Sequence, residues 1–496
     1  MSLPTNPAGL ALALTIALAL APAPSAAFCE AADAIAAARS LSVDEAVAAG
    51  LAADPGLRAA AMDAKAAGLR ATDAKLRMLP SLALSAGYTK LSEEPTFSLD
   101  VPNPPSSTDP DVLRSERWIG GILQSLGSAF DTSITDSKDI RVDLQYPVFA
   151  GFRLREAAEI ARLQSLGKGE AEEIARRALT FEIRRAYWES TRAQANVETL
   201  GKALELEQVL REEVSGLSAQ GMASEAERLG EEAKVDQAEM ALDEAGALRD
   251  QDFLVLSALV GDSSASSVET VVYELASAPG ARGLPAALEP YAAAFSSSGT
   301  ESGAALRELV EAALARRPEL RAADIALEAS QAALKAARAE LYPTLTLAGA
   351  LSYADPDPRI FPPQDEFNLS WSVGARLRYD VGALPGAIER GKAAQADIDK
   401  ARADLERQRD AAALDVRKCA LALKRAFDSL RLTKDMVAQA DESLRAARSR
   451  FDNGLARRSE LLQAETARLR AGLAVDYKAV DLEIAQADLL RAAALE

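Results

Sequence analysis

Histidine is absent from all 496 residues, and with it goes the commonest general base and metal ligand. The sequence contains no Gly-rich phosphate loop, no strained nucleophile turn and no cluster of metal-ligand types. A Glu-rich helical bundle can hold a carboxylate metal site, but the Glu-x-x-His pattern of such sites is impossible here. The groups left to do chemistry are Glu, Asp and Arg on segments that read as helices, and apolar side chains alternating with polar ones on segments that read as strands. Their chemistry is ion pairing and surface contact. No catalytic residue, metal or cofactor is expected.

The elements that must position these groups are clearest around Tyr379. Phe367, Leu369, Trp371, Val373, Ala375, Leu377 and Tyr379 alternate with Asn368, Ser370, Ser372, Gly374, Arg376, Arg378 and Asp380, which predicts a strand over about 367–381 with one apolar face. After Gly382, Pro385 and Gly386, about 65 positions rich in Ala, Leu, Arg, Glu and Asp run without Pro, with Gly391 the one Gly. At 1.5 Å per residue they predict a helix roughly 95 Å long. Within it Val416, Leu423, Leu430, Val437, Leu444 and Phe451 repeat every seven residues, with Cys419, Ala426, Thr433, Ala440 and Ala447 three later. Such a seam needs a partner helix and a left-handed supercoil. A helix this long cannot bury itself in a globule, so others of similar length must lie beside it.

Asp and Glu outnumber Lys and Arg by 74 to 56, a formal charge of −18. That argues against nucleic acid and makes cations likelier visitors than anions. Leu10 to Leu20 is apolar apart from Thr15, and Ser25-Ala26-Ala27 before Phe28 carries the small residues of a cleavage site, so 1–27 reads as a secretory signal peptide. Its start lacks Lys and Arg, and the run is short of the ~20 residues that span a bilayer. Cys29 follows Phe28, where lipid-attachment sites want a small residue. Cys29 and Cys419 are far apart, and no disulfide is indicated.

Taken in order, Leu41 to Ala53 reads as a helix with Ser42 and Glu45 as a capping box. A second helix runs from Pro55 to Leu79. Strands are expected over about 81–90 and 140–149, separated by a long exposed loop over 91–139. Tyr146-Pro147 opens the way to a long helix ending near Ser215, with Ile183, Ala186, Ser190, Ala193, Val197, Leu200 and Leu204 on its seam. A tip turn over about 216–223 and a returning helix from Ser224 to Leu259 follow. Residues 261–303 read as a linker or an irregular cap, an equatorial segment between the halves. A shift of 263 then lays Glu45, Pro55, Leu57, Pro80 and Leu82 on Glu308, Pro318, Leu320, Pro343 and Leu345. A shift of 233 lays Tyr146, Gly221 and Glu227 on Tyr379, Gly454 and Glu460. The chain is a tandem duplication, 28–260 and 304–496, whose second copy has strands near 344–354 and 367–381 and a tip turn near 452–457.

Strands with aliphatic and aromatic residues on one side and Arg, Ser, Gln and Asp on the other carry the transmembrane-barrel pattern. Phe367, Leu369, Trp371, Val373, Leu377 and Tyr379, with Val142, Leu144 and Tyr146, form the expected lipid face. Trp371, Tyr379, Tyr88 and Tyr353 are candidates for aromatic girdles. Four strands are too few to close a barrel, and lipid tolerates no open edge, so several chains must share one. The other open reading is a periplasmic coiled-coil protein that forms no channel.

With Leu41-Ser-Val-Asp-Glu-Ala-Val, Asp54-Pro-Gly-Leu, Leu79-Pro-Ser-Leu, Tyr146-Pro-Val-Phe-Ala-Gly-Phe-Arg and Phe451-Asp-Asn-Gly-Leu in this duplicated order, the chain resembles the TolC family of outer-membrane efflux and secretion channels over about residues 40–495. The resemblance implies an α plus transmembrane β fold and a homotrimer with a twelve-stranded barrel in outer-membrane lipid above a periplasmic tunnel of twelve helices. It implies a periplasmic adaptor protein and an inner-membrane transporter as partners. It also implies that acidic and basic side chains just past the tip glycines hold the tunnel shut. The matching positions are Glu227 and Glu460, with Arg457 and Arg458 as cationic partners. Gly221 and Gly454 read as left-handed helix ends, and with Met222 and Leu455 they form the tip turns that an adaptor would touch.

Overall fold

The computed structural model describes residues 40–90, most of 109–122, 136–261, 274–275, 284–292, 295, 300–360 and 365–495. The expected signal peptide and Cys29 lie outside the described residues. The first half holds β1 (Ser40–Leu41), α1 (Val43–Ala53), α2 (Pro55–Leu76), β2 (Ser81–Lys90), β3 (Asp136–Ala150), α3 (Arg153–Ala219) and α4 (Glu225–Val260). The second holds β4 (Glu274–Leu275), α5 (Thr300–Arg316), α6 (Pro318–Arg338), β5 (Thr344–Asp355), β6 (Asn368–Arg378), α7 (Leu384–Asp452) and α8 (Arg458–Ala493).

Local chemistry sets the boundaries. Ser42 and Glu45 close the expected capping box, which starts α1 at Val43 and leaves Leu41 in the two-residue β1, paired in parallel with β4. Asp54 caps α2, where Pro55 fills the first turn at no loss of a helical hydrogen bond. Pro385 and Gly386, read as breaks, stand inside the first turn of α7, since Pro is tolerated there. Gly216, also read as a break, is helical. α3 runs on to Ala219 and turns at Gly221, where φ is +74°.

With 67 and 69 residues, α3 and α7 each span about 100 Å. The heptad seam of α7 faces inward as its spacing requires. Val416, Cys419, Leu423, Ala426 and Leu430 pack with Leu309 and Ala313 of α5 and with Leu482 and Leu489 of α8. A second core gathers Val43 and Ala46 of α1, Ile183, Ala186, Tyr187 and Trp188 of α3, and Leu256 of α4. The Tyr187 hydroxyl donates to the Leu41 carbonyl at 2.8 Å, so this buried phenol is satisfied and structural.

The stretch read as a linker is partly packed. Leu288 and Phe295 are buried in the first core, a 3-10 turn covers Glu289–Tyr291, and α5 begins at Thr300. Arg317 ties three helices together: its guanidinium donates to the Ala492 carbonyl and pairs with Asp415, both at 2.6 Å. Arg491 pairs with Asp488 at 2.7 Å beside it. Cys419 is a free buried thiol donating to Asp488, and burial, with that carboxylate, pushes it up to about 12.

The sheet is antiparallel in the order β2-β3-β5-β6, so both halves contribute two strands and, among the described residues, β2 and β6 are its free edges. β3 starts at Asp136, four residues earlier than expected. The stretch read as one exposed loop also contains helical residues, 117–122 among them. β6 is shorter than expected, leaving Phe367 and Tyr379 just beyond its ends.

Candidate functional site

Strand register makes the wall readable row by row. Leu82, Leu144, Gly349 and Val373 stand side by side, as do Leu84, Val142, Leu351 and Trp371, and then Ala86, Ile140, Tyr353 and Leu369. Toward the helices follow Tyr146, Leu347 and Ala375, then Phe149, Leu345 and Leu377. Paired residues in an antiparallel sheet share a face, so these rows form one apolar surface. It is open: Leu84, Trp371 and Val373 are 74%, 72% and 76% exposed. The alternate positions carry Ser, Thr, Asp, Arg and small residues.

Aromatic rings cluster where the apolar rows end. At the loop end Tyr353 stacks on Phe367, with ring centroids 4.9 Å apart, and Tyr88 lies one row beyond on β2. At the helix end Phe149, Phe152 and Tyr342 meet edge to face, with Tyr146 three residues before Phe149 and Tyr379 just past the end of β6. Trp371 stands one row inside the loop-end cluster. The 11 residues of β6 rise about 36 Å, or about 27 Å at the usual barrel tilt, close to the ~25 Å apolar band of outer-membrane barrels. Among the described residues no helix is long and apolar enough to cross a membrane.

A bulge at Val148 lets β3 leave the sheet, because Pro147 cannot donate to the ladder. Gly151 follows at φ +61°, where a Cβ would stand 2.3 Å from the Ala339 carbonyl oxygen. A glycine is required there by both conformation and space.

At the far end of the helices the two tips are built alike. The Met222 and Gly221 amides donate to the Leu217 and Ser218 carbonyls, and the Leu455 and Gly454 amides to those of Arg450 and Phe451. Both are Schellman ends with glycine in the left-handed position. Met222 and Leu455 follow at matching places, 65% and 72% exposed.

Beyond the turns the tips differ. Ser224 and Glu227 form a reciprocal capping box, the Ser224 amide donating to the Glu227 carboxylate at 2.7 Å. Arg457 stands in the matching N-cap place and supplies no side-chain cap. Glu460 pairs with Arg450 across the turn at 3.3 Å, and Arg458 with Glu213 of α3 at 3.8 Å. Of the acid and arginine combinations expected from Glu227, Glu460, Arg457 and Arg458, the one within a chain is Glu227 with Arg457, while Glu460 and Arg458 take other partners.

The Ser224 amide, then its hydroxyl, and more weakly Arg457 hold the Glu227 carboxyl below the ordinary carboxylate range. A lowered folded value stabilises the tip at pH above the carboxyl's unfolded value. That contribution is lost as pH falls through the folded value. A fluorophore on Met222→Cys is expected to report loosening of this tip as pH drops through and below the carboxylate range. The acid step is absent when Glu227→Ala is added. Acid loosening of the same size and at the same pH with and without Glu227→Ala would contradict the assignment.

The family model for outer membrane efflux proteins matches residues 47–262 and 309–494. The chain belongs to the outer membrane efflux protein family. One matched stretch falls in each half of the chain, and the family places this efflux channel in the outer membrane with its helical tunnel in the periplasm.

Solved structures share the fold. A membrane protein from Pseudomonas aeruginosa aligns with a TM-score of 0.68 at 20% identity, covering 91% of this chain and 93% of that one. The CmeC outer membrane channel of Campylobacter jejuni aligns at 0.69 and 15%, covering 91% and 85%. The outer membrane protein VceC of Vibrio cholerae aligns at 0.66 and 18%, covering 91% and 95%. No curated protein matches the sequence.

Reasoning from sequence missed Arg450, Glu213 and the capping role of Glu227 in this efflux channel. Ser224 and Glu227, spaced as a capping box, were a readable signal. Glu213, eight residues before Gly221 and on another helix than Arg458, carried none.

Proposed function

We propose that three copies of the chain close their sheets into one twelve-stranded barrel continuous with a periplasmic tunnel of twelve helices. Substrate passes passively through it from an inner-membrane transporter, which reaches the tunnel through a periplasmic adaptor. The observation that carries this reading is the pair of free edges, β2 and β6, on a sheet whose one apolar face is open. In lipid every backbone N–H and C=O must be paired, so β6 of one chain has to take β2 of the next. Conduction along such a wall needs no bond-making residue.

Cysteines placed on β2 and β6 test the closure: cross-linking into a species of three chains is expected, and exclusively monomeric, detergent-independent protein would end the reading.

The tips supply the gate of this proposal. Glu227 facing the charge of Arg457 and Arg458 paired with Glu213 join the two hairpin ends of a chain, while Glu460 with Arg450 braces the second hairpin across its own turn. Exposed pairs such as the last two contribute about 1 kcal/mol or less each, so several together keep the tunnel shut and a docked partner can outcompete them. Exposed Met222 and Leu455, presented on the glycine turns, are the apolar contacts offered to the adaptor. In single-channel recordings, Glu460→Ala and Arg457→Ala are each expected to raise the open probability several-fold. No rise in either variant rejects this gate.

A further inference from the structure

We propose that Arg376 and Arg378 form a cationic belt on the lumen side of the barrel, just above the helices, that draws in cargo bearing oxyanions such as carboxylates or phosphates. This rests on the three-chain reading and adds to it a class of substrate.

Both residues lie on the polar face of β6, opposite Thr346 and Thr344. The next positions in those rows, Pro147 and Ala150 of β3, carry no charge either. Both guanidiniums are exposed, and neither pairs with a carboxylate among the described residues. Barrel closure brings only one new strand against β6, the β2 of the next chain. With Leu82 and Leu84 on the apolar side, β2 turns Ser81, Ala83, Ser85, Gly87 and Thr89 inward. None is acidic, so no register of the closing pair can neutralise the belt.

Asp380 follows on the same face, but its carboxylate accepts the Ala383 amide at 3.2 Å and caps the turn below. Rows nearer the loops are mixed: Arg141 leans on Asp143 at 3.9 Å, and Asp139 sits beside them. The belt thus reverses, locally, the sign of a chain whose formal charge is −18. Guanidinium stays charged at any working pH, and low-dielectric lipid around a narrow water-filled wall focuses its field into the lumen.

The test is the reversal potential across a planar bilayer under a tenfold KCl gradient, together with block by inorganic hexametaphosphate added on the barrel side. Relative to wild type, Arg376→Gln/Arg378→Gln is expected to shift the permeability ratio at least threefold toward cations. It should also weaken the block at least tenfold, while Arg376→Lys/Arg378→Lys keeps both. A conducting Gln double variant with an unchanged ratio and unchanged block overturns the belt. Failure of the β2–β6 cysteine cross-link to give a three-chain species would instead refute the three-chain channel itself.

Discussion

Val373→Arg is expected to stop the protein from assembling in the outer membrane. Val373 stands at mid-height of the sheet, in the row of Leu82, Leu144 and Gly349, and is 76% exposed. An arginine on the lipid side of a barrel costs about 2–4 kcal/mol at the bilayer midplane, falling toward the interfaces. Every copy in a ring bears that cost again. The readout is loss of the heat-modifiable oligomer band and of material in the outer-membrane fraction. Ser372→Arg, one residue away on the opposite face, is the control and should assemble normally. Equal tolerance of both would mean that the apolar rows do not face lipid.

The second large effect is expected at Leu423→Ala. Leu423 is fully buried on the α7 seam, one heptad after Val416 and one before Leu430. Removing its side chain in a close-packed core costs about 2–5 kcal/mol, transfer and cavity terms together. The thermal midpoint of the helical circular dichroism signal should fall clearly. Leu421→Ala, two residues earlier and 56% exposed in the single chain, should move the midpoint of dissociated chains little. Comparable losses in both would show that the seam is not where the heptad puts it.

What could be read from the residues alone was whatever repeats. The seven-residue seam of α7, the alternation in β6 and the pairing of Pro80 with Pro343 and Gly221 with Gly454 each impose a period or an offset, and the elements followed them. Helix ends were legible where the backbone demanded a residue type: Ser42 with Glu45 at one end, glycine in the left-handed position at the other. Gly216 misled because a glycine inside a long helix costs only about 1 kcal/mol, too little to end it against tertiary packing.

Residues 117–122 and the segment around Leu288 carry no such period, and Leu288 is placed by packing against α5, α7 and α8, distant in the chain. The ion pairs at the tips were hidden for a related reason. Which Arg reaches Glu460 is settled by how two antiparallel helices are set sideways against each other, and that brings in Arg450, ten residues upstream. Lateral setting leaves no trace in spacing along a single strand of sequence.

The two hairpin ends do not start their returning helices in the same way. One begins with a serine whose hydroxyl and partner carboxylate occupy the first amides; the other begins with an arginine whose side chain caps none of them and sets a positive group against a positive helix terminus. The second hairpin is therefore the softer of the pair. In the proposed three-chain ring, widening of the mouth would begin with one arm of each subunit yielding while its sibling stays put, so that alternate arms act as posts and as shutters.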